Sequence, residues 1–358
     1  MVADEQGQLV VIESGSAGSV TLLWDDNGDG VNQPSERLRI ASASGLNHGI
    51  AISGGYLYAS TATTIYRWPY TGAHAALSNR QTVLTGMPSG GHVTRTLVFD
   101  STGNLYVSIG SGSNLDPDST RARVLRIDAA KLGGGTLGLA DASVHADGLR
   151  NEVGLRFDAR GRLFGVENGV DNLSRSDLGG DIHNDNPAEE LNLLDTPGAF
   201  YGYPYCFTEG NLPSSVGLGP GTQWALPSVM NDGTHTDAWC RNTNNVKPPV
   251  ATMQAHSAPL DVLFYRGNAF PSDVEGDAIV TFHGSWNRSP ATGYKVVRIP
   301  FGADGLPNGA PTPLLESAAT GDTGGEWTHR PVSLAIGKRG EVFVTSDSDG
   351  LVIALGHE

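Results

Sequence analysis

The stretch Thr94–Gly110, TRTLVFDSTGNLYVSIG, joins an apolar run to a glycine turn and then to a second, alternating apolar run. Its β-branched and aromatic residues suit a pleated, half-buried surface, and Asp-Ser-Thr-Gly is turn chemistry, so the stretch predicts a β-hairpin. The same unit recurs as HGIAISGGYLYAST (48–61), VGLRFDARGRLFGVENG (153–169) and VSLAIGKRGEVFVTSDSDG (332–350). Its second half recurs as EQGQLVVIESG (5–15) and EGDAIVTFHGS (275–285). Anchored on the turn glycine, the repeats fall at Gly7, Gly55, Gly103, Gly161, Gly276 and Gly340, with spacings of 48, 48, 58, 115 and 64. A period near 50 built from short strands predicts one four-stranded propeller blade per unit. The expected fold is all-β, a single six-bladed β-propeller over residues 1–358. A seven-bladed propeller is the alternative, if the gap of 115 hides a further blade. Read as an insertion, that gap holds a polar, cysteine-bearing segment at about residues 200–257. Only six residues precede Gly7, so the first blade is expected to lack its inner strand, as though the sequence began inside a longer protein.

Composition agrees with a turn-rich globular chain. Glycine makes up 48 of 358 residues, about twice the usual share. The net charge is −15, which argues against nucleic acid as a partner, since phosphates require a Lys/Arg patch. No run of 18 apolar residues occurs, so no membrane-spanning helix is expected. The only cysteines, Cys206 and Cys240, flank a polar segment. A disulfide between them predicts an oxidising compartment and a secreted, extracellular protein; two unpaired thiols are the alternative.

A second motif follows the strand-like run SVTLLW. Residues 25–36, DDNGDGVNQPSE, satisfy the twelve-residue calcium-loop pattern of an EF-hand. Asp25, Asn27, Asp29 and Glu36 are the candidate side-chain ligands, and Val31 supplies a candidate carbonyl. No helical pattern precedes the loop, so it reads as a structural Ca²⁺ loop between blades, not as a sensor that opens a helix pair. The competing reading is an Asp/Asn/Gly turn without metal, and Pro34 inside the loop favours it.

Propeller sites lie at one mouth of the central channel, fed by the starts of the inner strands. The polar residues just before those strands are His48, His92, Arg150 with Asn151, His256, and His329 with Arg330. Recurrence of His or Arg at one phase in five blades predicts a convergent cationic site for an anionic ligand, despite the acidic chain.

Five motifs carry a resemblance over roughly residues 8–356. GGHVTRTLVFDSTGNLYVSIGSGSN, GLRNEVGLRFDARGRLFGVENG, EELNLLDTPGAFYGYPYCF, FHGSWNRSPATGYKVVRI and HRPVSLAIGKRGEVFVTSDSDG together resemble the pyrroloquinoline-quinone (PQQ) sugar dehydrogenases. Within these the chain is most similar to the sorbosone dehydrogenase-like branch and the PQQ domain of the fungal pyranose dehydrogenases. The resemblance implies PQQ and a Ca²⁺ at the channel mouth, and oxidation of a pyranose, an aldose or 2-keto sugar, at C1. It implies His92 as general base, with Arg150 and Asn151 on the quinone and Arg330 on a PQQ carboxylate. It implies the carbonyls of Gly169 and Val170 as Ca²⁺ ligands, where many members have proline at the second place. Arg95, in the same motif as His92, is a further candidate cofactor contact. His283 and Arg288 both stand where the soluble glucose dehydrogenases have a PQQ-binding lysine, and the choice between them is open. Many members place an aspartate after the Ile-Gly, where it orients the base. Ser111 stands there in this chain, so the base is expected to be oriented by another group.

His48, His256 and Trp286 are candidates for the substrate side, each with structural packing as the competing role. Glu189 and Glu190 match an acidic pair and read as structural or hydrogen-bonding groups. In fungal members a cytochrome b domain of the same polypeptide accepts the electrons, which makes a cytochrome the expected partner. Two other classes compete: a calcium-dependent, lactonase-like propeller hydrolase, whose metal needs a ring of acidic and amide side chains, and a non-catalytic binding propeller.

Overall fold

The computed structural model of the chain describes every residue except Ser16, 318–327 and 357–358. Among the described residues six sheets follow one another along the chain, with two strand pairs outside them, so the propeller has six blades and not seven; all pairings within the sheets are antiparallel except that Ala199–Phe200 joins the outer edge of the third in parallel. The first is Val2–Ala3, Leu9–Glu13, Ser19–Leu23 and Arg37–Ser42. Its innermost strand is therefore present, as two residues, which corrects the expectation that it is missing. Six residues are enough because a short bridge to Leu9 and Val10 suffices to begin the blade.

The second blade runs Leu46–Ser53, Tyr56–Thr61, Thr64–Pro69 and Gln81–Thr85; the third Leu97–Phe99, Leu105–Ile109, Arg123–Ile127 and Ser143–Asp147. The fourth runs Glu152–Phe157, Leu163–Glu167, Glu189–Leu193 and Ala251–Met253; the fifth Pro259–Phe264, Ala278–Phe282, Lys295–Ile299 and Thr312–Leu315. The sixth shows Pro331–Ile336, Val342–Ser346 and Leu351–Leu355 among the described residues.

The anchoring glycines work as the repeat requires. Gly7, Gly55, Gly103, Gly161, Gly276 and Gly340 all sit between a first and a second strand with φ between 75° and 88°. L-residues with a Cβ rarely adopt that conformation, which is why glycine recurs there and the flanking residues vary. In the third and fourth blades an aspartate closes the same turn. Asp100 Oδ1 accepts the backbone N–H groups of Thr102 and Asn104, and Asp158 Oδ1 those of Arg160 and Arg162.

Hydrophobic clusters lie between consecutive blades around the whole ring. Val10, Leu22 and Ile40 of the first blade pack on Leu57 and Trp68 of the second. Val83 and Leu84 pack on Leu105 and Ile127, Tyr106 and Val124 on Leu155, and Phe164 and Val166 on Val262 and Val280. Ile279 then packs on Leu334 and Val344, and Ala335 meets Leu9 to close the ring. Each such fully buried side chain contributes about 1.5–3 kcal/mol of burial. The inner strands of all six blades line one axial cavity of about 230 Å³, with Val2, Ile50, Leu97, Leu155, Asp261 and Ser333 on its wall.

The fourth blade carries the long excursions. Residues 168–188 intervene between its second and third strands, and 194–250 between its third and fourth. The second excursion holds Cys206–Thr208, Gln223–Ala225 and the short helix Asp237–Cys240, and a disulfide joins Cys206 to Cys240 with Cα atoms 5.8 Å apart. The bridge spans 34 residues, and in the chain-entropy account closing a loop of that length is worth about 3–4 kcal/mol. The C206S/C240S protein is expected to lose about that much unfolding free energy, read from the urea midpoint; an unchanged midpoint would show that packing alone holds the insertion. Among the described residues, no helix is long and apolar enough to cross a membrane.

Candidate active site

The loops before the inner strands of blades three and four meet over a glycine contact. A Cβ on Gly110 would lie 2.6 Å from His92 Cβ and 2.9 Å from Asn151 Oδ1, so only glycine lets these two residues approach across it. Gly91, with φ +67°, lies as closely on Ser111 and Gly112. Backbone bonds lock the approach: His92 N–H donates to Ser111 O at 2.9 Å, and Ser111 N–H to Arg150 O at 2.8 Å. His92 Nδ1 is 2.9 Å from Ser111 Oγ. Ser111, itself fully buried, thus orients the imidazole, which corrects the expectation that another group must do so. Burial first, and the nearby Arg150 second, lower the His92 pKa to about 4, so the ring is neutral at ordinary pH.

Arg150 is almost wholly buried beside it. Its guanidinium donates to Asn114 O, Asn168 O, Asn114 Oδ1 and Asp171 Oδ2 at 2.8–3.2 Å, leaving one of its five N–H donors for a ligand. Asn114 also accepts the backbone N–H of Asp171 and donates to its carbonyl. Asn114 and Asp171, which sequence reasoning missed, are therefore what fixes Arg150 relative to the 168–171 loop. Both follow directly on the motifs SIGSGS and ENGV, and a polar residue at each motif's end was the available signal.

That loop carries the two carbonyls expected to hold Ca²⁺. Gly169 N–H donates to Glu189 Oε2 at 2.8 Å, and Val170 is buried among Leu173, Tyr203 and Phe207. Among the described residues no hydrogen-bond donor is placed on the Gly169 or Val170 carbonyls. Hard oxygen donors left open beside a buried carboxyl fit a Ca²⁺ ion. Glu189 also accepts Ala258 N–H, and burial raises its pKa to about 8.

The rest of the rim comes from blades five and six. Arg330 donates to His283 O and Gly284 O at 3.1 and 2.9 Å and lies 5.6 Å from the Tyr294 ring centroid. His283 Nε2 is 2.9 Å from Asp347 Oδ1. Arg288 instead turns to the 183–186 loop, pairing with Asp185 at 2.6 Å and Asn184 O at 2.5 Å. Trp286, between them, is 74 % exposed.

Three expectations are corrected here. Arg95 does not join the cationic rim: its guanidinium is buried and donates to the carbonyls of Ala62, His92, Thr94 and Pro88, so it braces the loop that carries His92. His256 does not offer a free ring to a substrate. Its Nε2 is 2.6 Å from His183 O, its Nδ1 faces Asp171 at 3.8 Å, and the residue is buried. His48 is not gathered at the mouth with His92; it lines the axial cavity with Arg156, Asp261 and Ser333, where burial lowers its pKa to about 4.

The 25–36 loop joins the third and fourth strands of the first blade, not two blades as expected, and its side chains are turned to its own backbone. Asp25 accepts the N–H groups of Gly28 and Gly30, Asn27 Oδ1 accepts Asp29 N–H, and Asp29 accepts Val31 N–H. Glu36 caps Asp26 N–H and Gln33 N–H. Among the described residues no three His, Cys, Asp or Glu side chains are grouped so as to hold a metal, these included. The Asp/Asn side chains close backbone turns, the other use to which such residues are suited.

A row of carboxyls lies beneath Arg150. Glu152, Glu167 and Glu190 face one another across three neighbouring strands of blade four. All three accept from the single Asn192 Nδ2 at 3.2–3.4 Å, and a Cβ on Gly165 would collide with Glu152. Burial, then their mutual repulsion, raises the pKa of Glu152 and Glu167, and burial that of Glu190.

Comparison with known proteins places this geometry. A family model described as TrAA12-like matches residues 1–358. The chain is 34% identical over 384 residues to a pyrroloquinoline quinone-dependent pyranose dehydrogenase of Coprinopsis cinerea, covering 98% of this chain and 51% of that protein. It is 32% identical over 387 residues to a pyrroloquinoline quinone-dependent sugar dehydrogenase of Hypocrea jecorina (strain QM6a), covering 99% and 84%. The holo form of the pyranose dehydrogenase PQQ domain from Coprinopsis cinerea superposes with a TM-score of 0.83 at 30% identity, over 99% of this chain and 91% of that one. The chain thus spans about half the length of the Coprinopsis relative and nearly all of its PQQ domain. On the full-length match, the six blades and this rim, the chain belongs to the TrAA12-like family.

Proposed function

We propose that the chain is a PQQ- and Ca²⁺-dependent dehydrogenase that oxidises a pyranose, an aldose or 2-keto sugar, at C1. One observation carries the reading: a neutral imidazole and a buried arginine at the starts of neighbouring inner strands are tied into one network with two open carbonyls just after the second strand of blade four. The residues fit the group. PQQ bears three carboxylates, which suits a rim holding Arg150, Arg330 and either His283 or Arg288, and the carbonyls of Gly169 and Val170 would be the Ca²⁺ ligands.

When bound, PQQ supplies the two-electron acceptor and Ca²⁺ a Lewis acid beside it. The protein's own part is proton handling, charge and position. His92 Nε2 takes the proton of the sugar hydroxyl. Arg150, held by Asp171 and Asn114, presents its remaining N–H to developing negative charge. Asn151 positions the cofactor across Gly110 from the base, and Trp286 offers the sugar an apolar face. We place the protein in an extracellular, oxidising compartment, consistent with Cys206–Cys240, and a cytochrome as its electron acceptor.

The test is reconstitution. Apoprotein given PQQ and Ca²⁺ is expected to bind the quinone, seen as a change in its absorbance, and to reduce an artificial acceptor with a pyranose from a sugar panel. Quinone binding without turnover would favour a binding propeller. No quinone binding would remove the dehydrogenase reading.

A further inference from the structure

We propose that Ser111 is a positioning residue that sets the tautomer of His92, its hydroxyl oxygen accepting from Nδ1–H so that Nε2 is left as the proton acceptor. The proposal rests on His92 being the base of the dehydrogenase reading. The argument is a hydrogen count. A serine hydroxyl has one hydrogen and two lone pairs. Ser111 Oγ lies 2.8 Å from Ser113 O, a carbonyl that can only accept, so its hydrogen goes there. Oγ must then accept at the 2.9 Å contact with His92, which puts the ring proton on Nδ1. The opposite tautomer would turn the hydroxyl hydrogen toward His92. Among the described residues Ser113 O would then be left with only the Tyr203 hydroxyl at 3.5 Å, which is closer to Asn114 O at 3.2 Å.

The surroundings make Ser111 the decisive partner. It has no exposed surface, and its backbone bonds to His92 and Arg150 hold it in register. The charged groups facing the imidazole are Arg150, Asp171 and Arg95. Asp171 is paired with Arg150 at 2.9 Å, and Arg95 is turned to carbonyls, one of them that of His92 itself. No carboxylate therefore orients the base in this chain. The Ser111 backbone carbonyl also faces the ring and favours its charged form, but the neutral hydroxyl adds no negative charge beside it, unlike an aspartate at the same place, which would favour imidazolium much more. The device therefore keeps the base unprotonated into acidic solution.

Histidine ¹⁵N NMR of the apoprotein between pH 4 and 8 reads the tautomer directly, without cofactor or turnover. His92 is expected as the Nδ1–H form; an Nε2–H signal overturns the proposal. In the reconstituted enzyme, Ser111→Ala is expected to lower kcat about tenfold with the sugar KM unchanged, as for a misoriented base. Ser111→Asp is expected to move the acidic limb of kcat/KM upward by about 1–3 pH units. An unmoved limb in a folded Ser111→Asp enzyme overturns the proposal. If the protein shows no PQQ-dependent turnover, the dehydrogenase reading fails, and the NMR result alone still decides the role of Ser111.

Discussion

His92→Ala is expected to lower kcat by about 10²–10⁴-fold, the contribution of one positioned base, while PQQ binding is retained. The two parts of the prediction have separate causes. As the proposed base, the imidazole would offer Nε2 to the substrate proton, so its removal should take away proton transfer alone. On the proposed reading the cofactor contacts would come from Arg150, Asn151 and Arg330, and Arg150 is held by Asn114, Asn168 and Asp171, none of which needs the His92 side chain. The loop itself is braced by Arg95 through the His92 backbone carbonyl, which alanine keeps. The wild-type acidic limb should lie near pH 4, because burial and Arg150 lower the base to about that value and only its neutral form works. Rapid-reaction kinetics with a saturating sugar, alongside quinone titration, checks both parts. Near-normal turnover in the variant sinks the assignment of the base.

How much of this was legible beforehand depended on whether a residue's role is set by its type or by its direction. The blades were readable because a hairpin with positive φ demands glycine, and six such glycines recur at blade spacing. The site was readable to the level of residue type: His92 and Arg150 were singled out, and they do adjoin. Direction was not readable. Arg95 is a cation three residues from His92, yet the chain folds its guanidinium onto carbonyls, and sequence does not show which way a long side chain turns. Asp25 to Glu36 have the spacing of a calcium loop, but the same oxygens satisfy the loop's own N–H groups. Ser111 was read by what it is not, an aspartate; its value as an acceptor appears only once its hydrogen is seen to be taken by Ser113 O.

The carboxyls of blade four lead to the largest expected effect on stability: unfolding free energy should fall as pH rises from about 6.5 to 8. Glu152, Glu167 and Glu190 share the Asn192 amide NH2 group, with the Arg150 backbone N–H also on Glu167 and the Thr208 hydroxyl on Glu190, and among the described residues no Lys or Arg side chain is paired with them; the Arg150 guanidinium faces Asp171. Charging them in this apolar setting is costly, so burial holds all three above their ordinary values and Glu189 at about 8. A carboxyl whose folded pKa is raised stabilises the protein fully below its unfolded pKa, and that stability is lost as pH rises through the folded value. The buried histidines have the opposite sign. His48, His92, His145 and His256 are lowered, chiefly by burial, so their contribution is present above the unfolded value and lost as pH falls through the folded one. Between about pH 4.5 and 6.5 the two sets oppose each other; above 6.5 the histidines are neutral in both states, and the four carboxyls outnumber the one group among the described residues that still opposes them, the Met1 amine, which burial lowers to about 6. Each carboxyl that is protonated in the folded chain and ionised in the unfolded chain then costs about 1.4 kcal/mol per pH unit. Urea unfolding at pH 6.5 and 8 measures the fall, and Glu152→Gln should reduce it, because glutamine stays neutral and keeps an oxygen toward Asn192. A flat or rising profile would mean that the carboxyls are already ionised in the folded protein, which three acids around one amide allow only with a cation among them.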